Sequence, residues 1–117
     1  MTQMQIKVGS SEPYYDLNDD WALIVASFQS QYGIRLSREL DGMSWLEFSS
    51  YINGLSTETP LGRIVSIRAE GRADVLKTFT AEQRQIRNEY RQKMAHRKSQ
   101  KDVDSALEQI KKAFIEW

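Results

Sequence analysis

Helix-start and helix-stop signals divide this chain before any hydrophobic pattern is considered. Ser44 and Glu47 form an S-x-x-E capping box, and Met43 and Phe48 fall where a hydrophobic staple would sit. Thr59-Pro60 puts a cap ahead of a proline at the first helical position, where its missing amide does no harm. Thr80 and Gln83 form another box. Gly33, Gly54 and Gly71 stand where a left-handed residue would end the preceding segment. A chain punctuated this way, at intervals of a few helical turns, is all-α.

The apolar spacing agrees. Trp21, Leu23, Ile24, Val25, Phe28 and Tyr32 recur near 3.6 residues, which predicts a helix from Asp19 to Tyr32. Asn18 is its expected cap, with Asp19 and Asp20 opposing the dipole. Ile34 to Gly42 reads as a connector with Leu36 and Leu40 tucked under the fold. The stretch MSWLEFSSYINGL predicts a helix from Trp45 to Asn53. Trp45, Phe48 and Ile52 share one face, flanked by Leu46 and Tyr51. Burial is the commoner use of an aromatic ring, so this face is expected in the core rather than as a partner platform. Trp45→Ala is then expected to cost about 3–5 kcal/mol. Leu61, Ile64, Val65 and Arg68 line the next helix, and residues 72–79 stay undecided.

From Ala81 to about Lys98 the chain is basic, with only a narrow Ile86, Tyr90, Met94 row. Ser99-Gln100 reads as a break. Val103, Leu107, Ile110, Phe114 and Trp117 then recur at 4, 3, 4, 3, two heptads of a coiled-coil seam edged by Ala106 and Ala113. The expected organisation is an N-terminal arm over 1–15, a helical domain over 16–98 and an amphipathic helix over 99–117. Together they make a small single-domain bundle of four or five helices.

Composition narrows the function classes. The 117 residues contain no cysteine and one histidine, His96, so Cys-based zinc sites and His-rich metal centres are excluded. No apolar run is long enough to span a membrane, and the N-terminus lacks the order of a signal peptide, so a cytosolic protein is expected. No nucleophile elbow, P-loop or dinucleotide fingerprint occurs, and neither catalysis nor a cofactor is expected. The zero net charge is unevenly placed: −5 over residues 1–61, +7 over 62–101 and −2 over 102–117.

Two surfaces are candidates for binding. Arg84, Arg87 and Arg91 lie at i, i+3 and i+7 on one helix face, amid Lys93, Arg97, Lys98 and Lys101. Three uses stay open: an intramolecular or solvated face, a protein partner, or phosphates, in descending order of preference. The seam carrying Leu107, Ile110, Phe114 and Trp117 must be hidden against its own domain, a second copy or a partner.

Four features in order resemble one known family. They are Gln31-Tyr32-Gly33-Ile34 with Leu36; Trp45 with Phe48, Ile52, Asn53 and Leu55; Thr59 with Leu61, Ile64 and Ile67; and the basic helix from Ala81 to Met94. Over about residues 19–95 the pattern is similar to the tail-assembly-chaperone-like proteins of long-tailed phages of Gram-positive hosts. The resemblance implies a non-enzymatic role in tail morphogenesis. Such proteins keep the tape measure protein soluble and recruit the major tail protein. They act in the host cytoplasm and are absent from the mature virion. The rival readings are a nucleic-acid-binding module using helix 81–98 and a homo-oligomeric structural tail component.

Overall fold

Phe28 is the point on which the packing converges. It lies wholly buried on α1 (Trp21–Tyr32) in the computed structural model, which describes residues 13–115. Its ring stacks on Phe48 at 5.3 Å and meets Tyr32 and Tyr51 edge-on, both at 5.9 Å. Ile24, Ile34, Leu36, Ile52 and Leu61 close the core around it.

The remaining elements are α2 (Leu36–Glu39), a 3-10 turn (Leu40–Gly42), α3 (Trp45–Asn53), α4 (Pro60–Ala69), α5 (Ala73–Leu76) and α6 (Ala81–Ile115). No strand occurs among the described residues, so the all-α expectation holds. α1 packs on α3 and on α4, and α4 packs on α6. The longer helices thus follow one another in the series α3, α1, α4, α6, with α3 and α6 at its ends.

The capping chemistry forms largely as the sequence predicts. The Ser44 hydroxyl accepts from Glu47 N, and the Thr59 hydroxyl from Gly62 N ahead of Pro60. Thr80 and Gln83 cap one another reciprocally. Gly33 adopts φ +70° and its amide closes on Gln29 O. Gly54 sits where expected for another reason: its φ is −88°, but a Cβ there would approach Tyr32 Oη to 2.7 Å. Gly62 is needed more strictly, because a Cβ would fall 2.0 Å from Ser56 O.

Several expectations are corrected. α1 begins at Trp21; its expected cap Asn18 instead donates, with Asp19, to the Asp16 carboxylate. Leu36 is buried, whereas Leu40 is exposed. Residues 73–76 supply the undecided extra turn.

Trp45 is 69% exposed and Leu46 77%, so the core reading of that face fails for both. Leu46 lies about 160° around the helix from Phe48, at 100° per residue, and cannot share its side. Trp45 occupies the first turn and rests on Phe48 at 5.6 Å with its outer face open. Among the described residues α1 is the main element packed on α3, and it covers the Phe48 side.

The break at Ser99-Gln100, and with it the expected boundary at 98/99, is also absent: α6 runs unbroken for 35 residues. Neither residue breaks a helix as glycine or proline would, and none of those occurs after Gly71.

Candidate protein-docking surfaces

The polar centre of the fold explains how α6 is held. Asp20 and Arg68 are both largely buried and form a two-point ion pair, at 2.9 Å and 3.1 Å, between α1 and α4. Arg68 also donates to Tyr14 O and lies 4.6 Å from the centre of the Tyr90 ring of α6. The remaining Asp20 valence accepts from Asp16 N at 2.8 Å. Tyr14 sits at φ 63°, a left-handed position that non-glycine residues adopt at a cost of about 1 kcal/mol or more. Its carbonyl bond to Arg68 and its ring contact with Tyr90 hold it there. A second buried polar link ties α4 to α1. The Ser27 hydroxyl donates to Leu23 O and accepts from Leu61 N at 2.9 Å.

The basic row is engaged with the same chain. Arg87 Nε donates to Glu70 O at 2.8 Å and Arg91 Nε to Arg68 O at 3.2 Å, so α6 caps the C-terminal carbonyls of α4. Arg84 reaches Lys77 O at 3.4 Å. Lys93 pairs with Asp19, and Arg97 bonds Asp16 at 3.0 Å and Asp19 at 3.3 Å. The acidic first half of the chain thus neutralises part of the basic helix. Arg97 holds the Asp16 carboxyl below its ordinary range. A cleft of about 250 Å³ between α1, α4 and α6 is lined by these paired charges together with Leu23, Ile64 and Ile86. Among the described residues no three His, Cys, Asp or Glu side chains are grouped to hold a metal ion.

Beyond Arg97 the helix continues into solvent. Every residue from Lys98 to Ile115 is exposed, a projection of about 27 Å at 1.5 Å per residue. Val103, Leu107 and Ile110 are each about half exposed, Phe114 76% and Ile115 83%. The seam residues Leu107, Ile110 and Phe114 therefore lie together on an uncovered stripe of this arm. Trp117 lies outside the described residues. The arm needs no nucleation of its own, because it extends a helix whose first turns are already fixed.

The second exposed apolar surface is the Trp45–Leu46 ridge on α3, which sequence reasoning placed in the core. The signal that could have found it is the shortness of α3. Nine residues carrying apolar groups around most of the circumference need neighbours on several sides, and this chain supplies few.

No match was found among curated proteins or among solved structures. Residues 1–96 match the family described as Bacteriophage Gp15 protein. The match ends beside Arg97, the last residue of α6 that pairs with α1 and its approach, and leaves the free arm beyond it. With most of its length matched, the chain belongs to the Bacteriophage Gp15 protein family.

Proposed function

We propose that this phage protein is a tail-assembly chaperone of a long-tailed phage. In this reading it shields the tape measure protein and brings in the major tail protein, works in the host cytoplasm and makes or breaks no covalent bond. The observation that carries the proposal is the arm. An uncovered apolar stripe through Leu107, Ile110 and Phe114 suits a long helical client whose own seams would otherwise aggregate. Membership of a phage family and the resemblance of residues 19–95 to tail-assembly chaperones support the same reading. The nucleic-acid alternative gains nothing from the geometry, since Arg87, Arg91, Lys93 and Arg97 already bind carbonyls and carboxylates of their own chain.

The test is co-expression with a tape measure protein. The full chain is expected to move the client into the soluble fraction, and a chain ending at Gln100 to leave it in the pellet. An insoluble client in both cases defeats the proposal; a client solubilised equally by both moves the binding surface off the arm.

A further inference from the structure

The arm leaves the domain from a helix that is held at two places. The inner hold is on α4 and the end of α5: Arg84 reaches Lys77 O, Arg87 and Arg91 take Glu70 O and Arg68 O, and Tyr90 is buried. The outer hold is made by residues 14–20, which run ahead of α1. Asp19 pairs with Lys93, and Arg97 bonds Asp16 at 3.0 Å and Asp19 at 3.3 Å. We infer that residues 14–20 are a strap whose carboxylates fix the direction in which the arm projects, and that releasing them lets the arm swing without unfolding the core.

The strap is shaped before α6 meets it. Asp16 Oδ1 accepts the amides of Asn18 and Asp19, both at 2.9 Å, and leaves Oδ2 to face Arg97. Asp16 N donates to Asp20 Oδ2 at 2.8 Å, and Asp20 N to Asp16 O at 2.9 Å. Carboxylates held in this way lose little freedom on pairing.

The strap is also fastened at a cost. The left-handed backbone of Tyr14 accompanies a carbonyl bonded to Arg68 and a ring set against Tyr90, so this end is tied to α4 and α6. The other end is tied by the buried Asp20–Arg68 pair.

Its grip on α6 lies nearer the surface. The side chains of Asp20 and Arg68 are 7% and 14% exposed, whereas those of Asp19, Lys93 and Arg97 are 44%, 42% and 48% exposed. Single exposed pairs hold weakly, and a network of several holds better. The outer hold can therefore open while the buried pair and the core stay closed.

Leverage makes the outer hold matter. Arg84 to Arg97 spans about 20 Å of helix, and about 27 Å of arm projects beyond it, at 1.5 Å per residue. Without the strap, about 10 Å between Arg84 and Arg91 must steady about 36 Å. For the same looseness at the supports, the swing at Ile115 more than doubles. This holds whatever the arm binds, and a steadied arm meets its partner at a lower entropy cost.

The experiment places spin labels at Ser50→Cys on α3 and Ser105→Cys on the arm, in a chain with no cysteine of its own. Pulsed dipolar spectroscopy of a dilute sample reads the distance distribution, with near-UV circular dichroism checking that each core is intact. The parent is expected to give one narrow distribution. Asp16→Asn with Asp19→Asn keeps the acceptor that the loop's own amides use and removes both charges facing α6. It is expected to at least double the width, as is Arg97→Gln at an exposed position, while Arg97→Lys stays close to the parent. Salt near 1 M is expected to broaden the parent and leave the Asp16→Asn/Asp19→Asn variant as it was. A parent already as broad as the variants overturns the proposal. So does an Arg97→Gln or Asp16→Asn/Asp19→Asn chain as narrow as the parent.

Discussion

From Ala81 to Arg97, α6 lies against the domain. Tyr90 is buried, Ile86 and Met94 are half covered, and five basic side chains hold acceptors on other segments. From Lys98 to Ile115 the same helix is exposed all round. The apolar pattern ranks the halves the other way: the docked half offers a narrow row of three residues and the free half a regular seam. A seam shows that a surface is made to be covered; it does not say by whom. Docking within the chain was decided by acceptors, namely the open carbonyls at the end of α4 and the carboxylates of Asp16 and Asp19.

Breaking the docked half at its root has the largest expected effect. Arg68→Ala leaves Asp20 buried without its counter-charge and removes the cation beneath Tyr90, and should cost about 3–5 kcal/mol in urea unfolding. Adding Asp20→Ala to it should cost less than the two single changes summed, because the pair acts as one unit. A loss below about 1 kcal/mol for Arg68→Ala would mean that the pair does not anchor the helix.

Tyr90→Ala comes next, at about 3 kcal/mol, since it empties the one buried aromatic site on α6. Raised hydrogen exchange confined to α6 would accompany it. Trp45→Ala, by contrast, should cost only about 1 kcal/mol by the same measure, because the indole makes a stack but is mostly in water. A loss near the value of Tyr90→Ala would restore the core reading of that residue.

Acid sharpens the comparison more gently. Arg97 lowers the Asp16 carboxyl below its ordinary 3.8, so this contact stabilises the fold above that value and is lost as pH falls through the lowered one. Glu70, at the end of α4, is held at about 2 by Arg72 and by the amides of Gly71 and Arg72, and its contribution fades between about pH 4.5 and 2. Below about pH 4 the base of the arm should therefore loosen. An NMR titration should show Asp16 returning towards 3.8 in Arg97→Gln; an unchanged Asp16 would show that Arg97 does not face it in solution.

Local chemistry was legible in the residues, and pairwise chemistry was not. Ser44, Thr59, Thr80 with Gln83, and Gly33 act on amides and carbonyls a few residues away, so their roles could be read without a fold. Asp20 looked like a helix-start acid, because its partner Arg68 stands 48 residues further on and meets it only once α1 and α4 are adjacent. Ser27 hid for the same reason: nothing local shows that its hydroxyl takes the Leu61 amide. Trp45 misled because a hydrophobic face states a demand for neighbours, and the number of neighbours is a property of the whole chain. The arm misled at its start because Ser99-Gln100 is a polar interruption of the seam, and a polar interruption ends a stripe without ending a helix.

The smallest expected effect separates the halves most cleanly. Phe114→Ala removes a large ring from the free half, yet the ring is 76% exposed and no part of its own domain is lost with it. The stability of a dilute sample should shift by less than about 0.5 kcal/mol, as for other surface changes. Amide exchange should agree, with slow exchange around Tyr90 and fast exchange from about Lys101 onwards in both the parent and the variant. Client binding is where the change should register, because the ring that is idle in the monomer belongs to the stripe proposed to hold the tape measure protein. If Phe114→Ala instead destabilised the dilute protein by about as much as Tyr90→Ala, the arm would have to fold back on its own domain. The two halves of α6 would then differ in degree and no longer in kind.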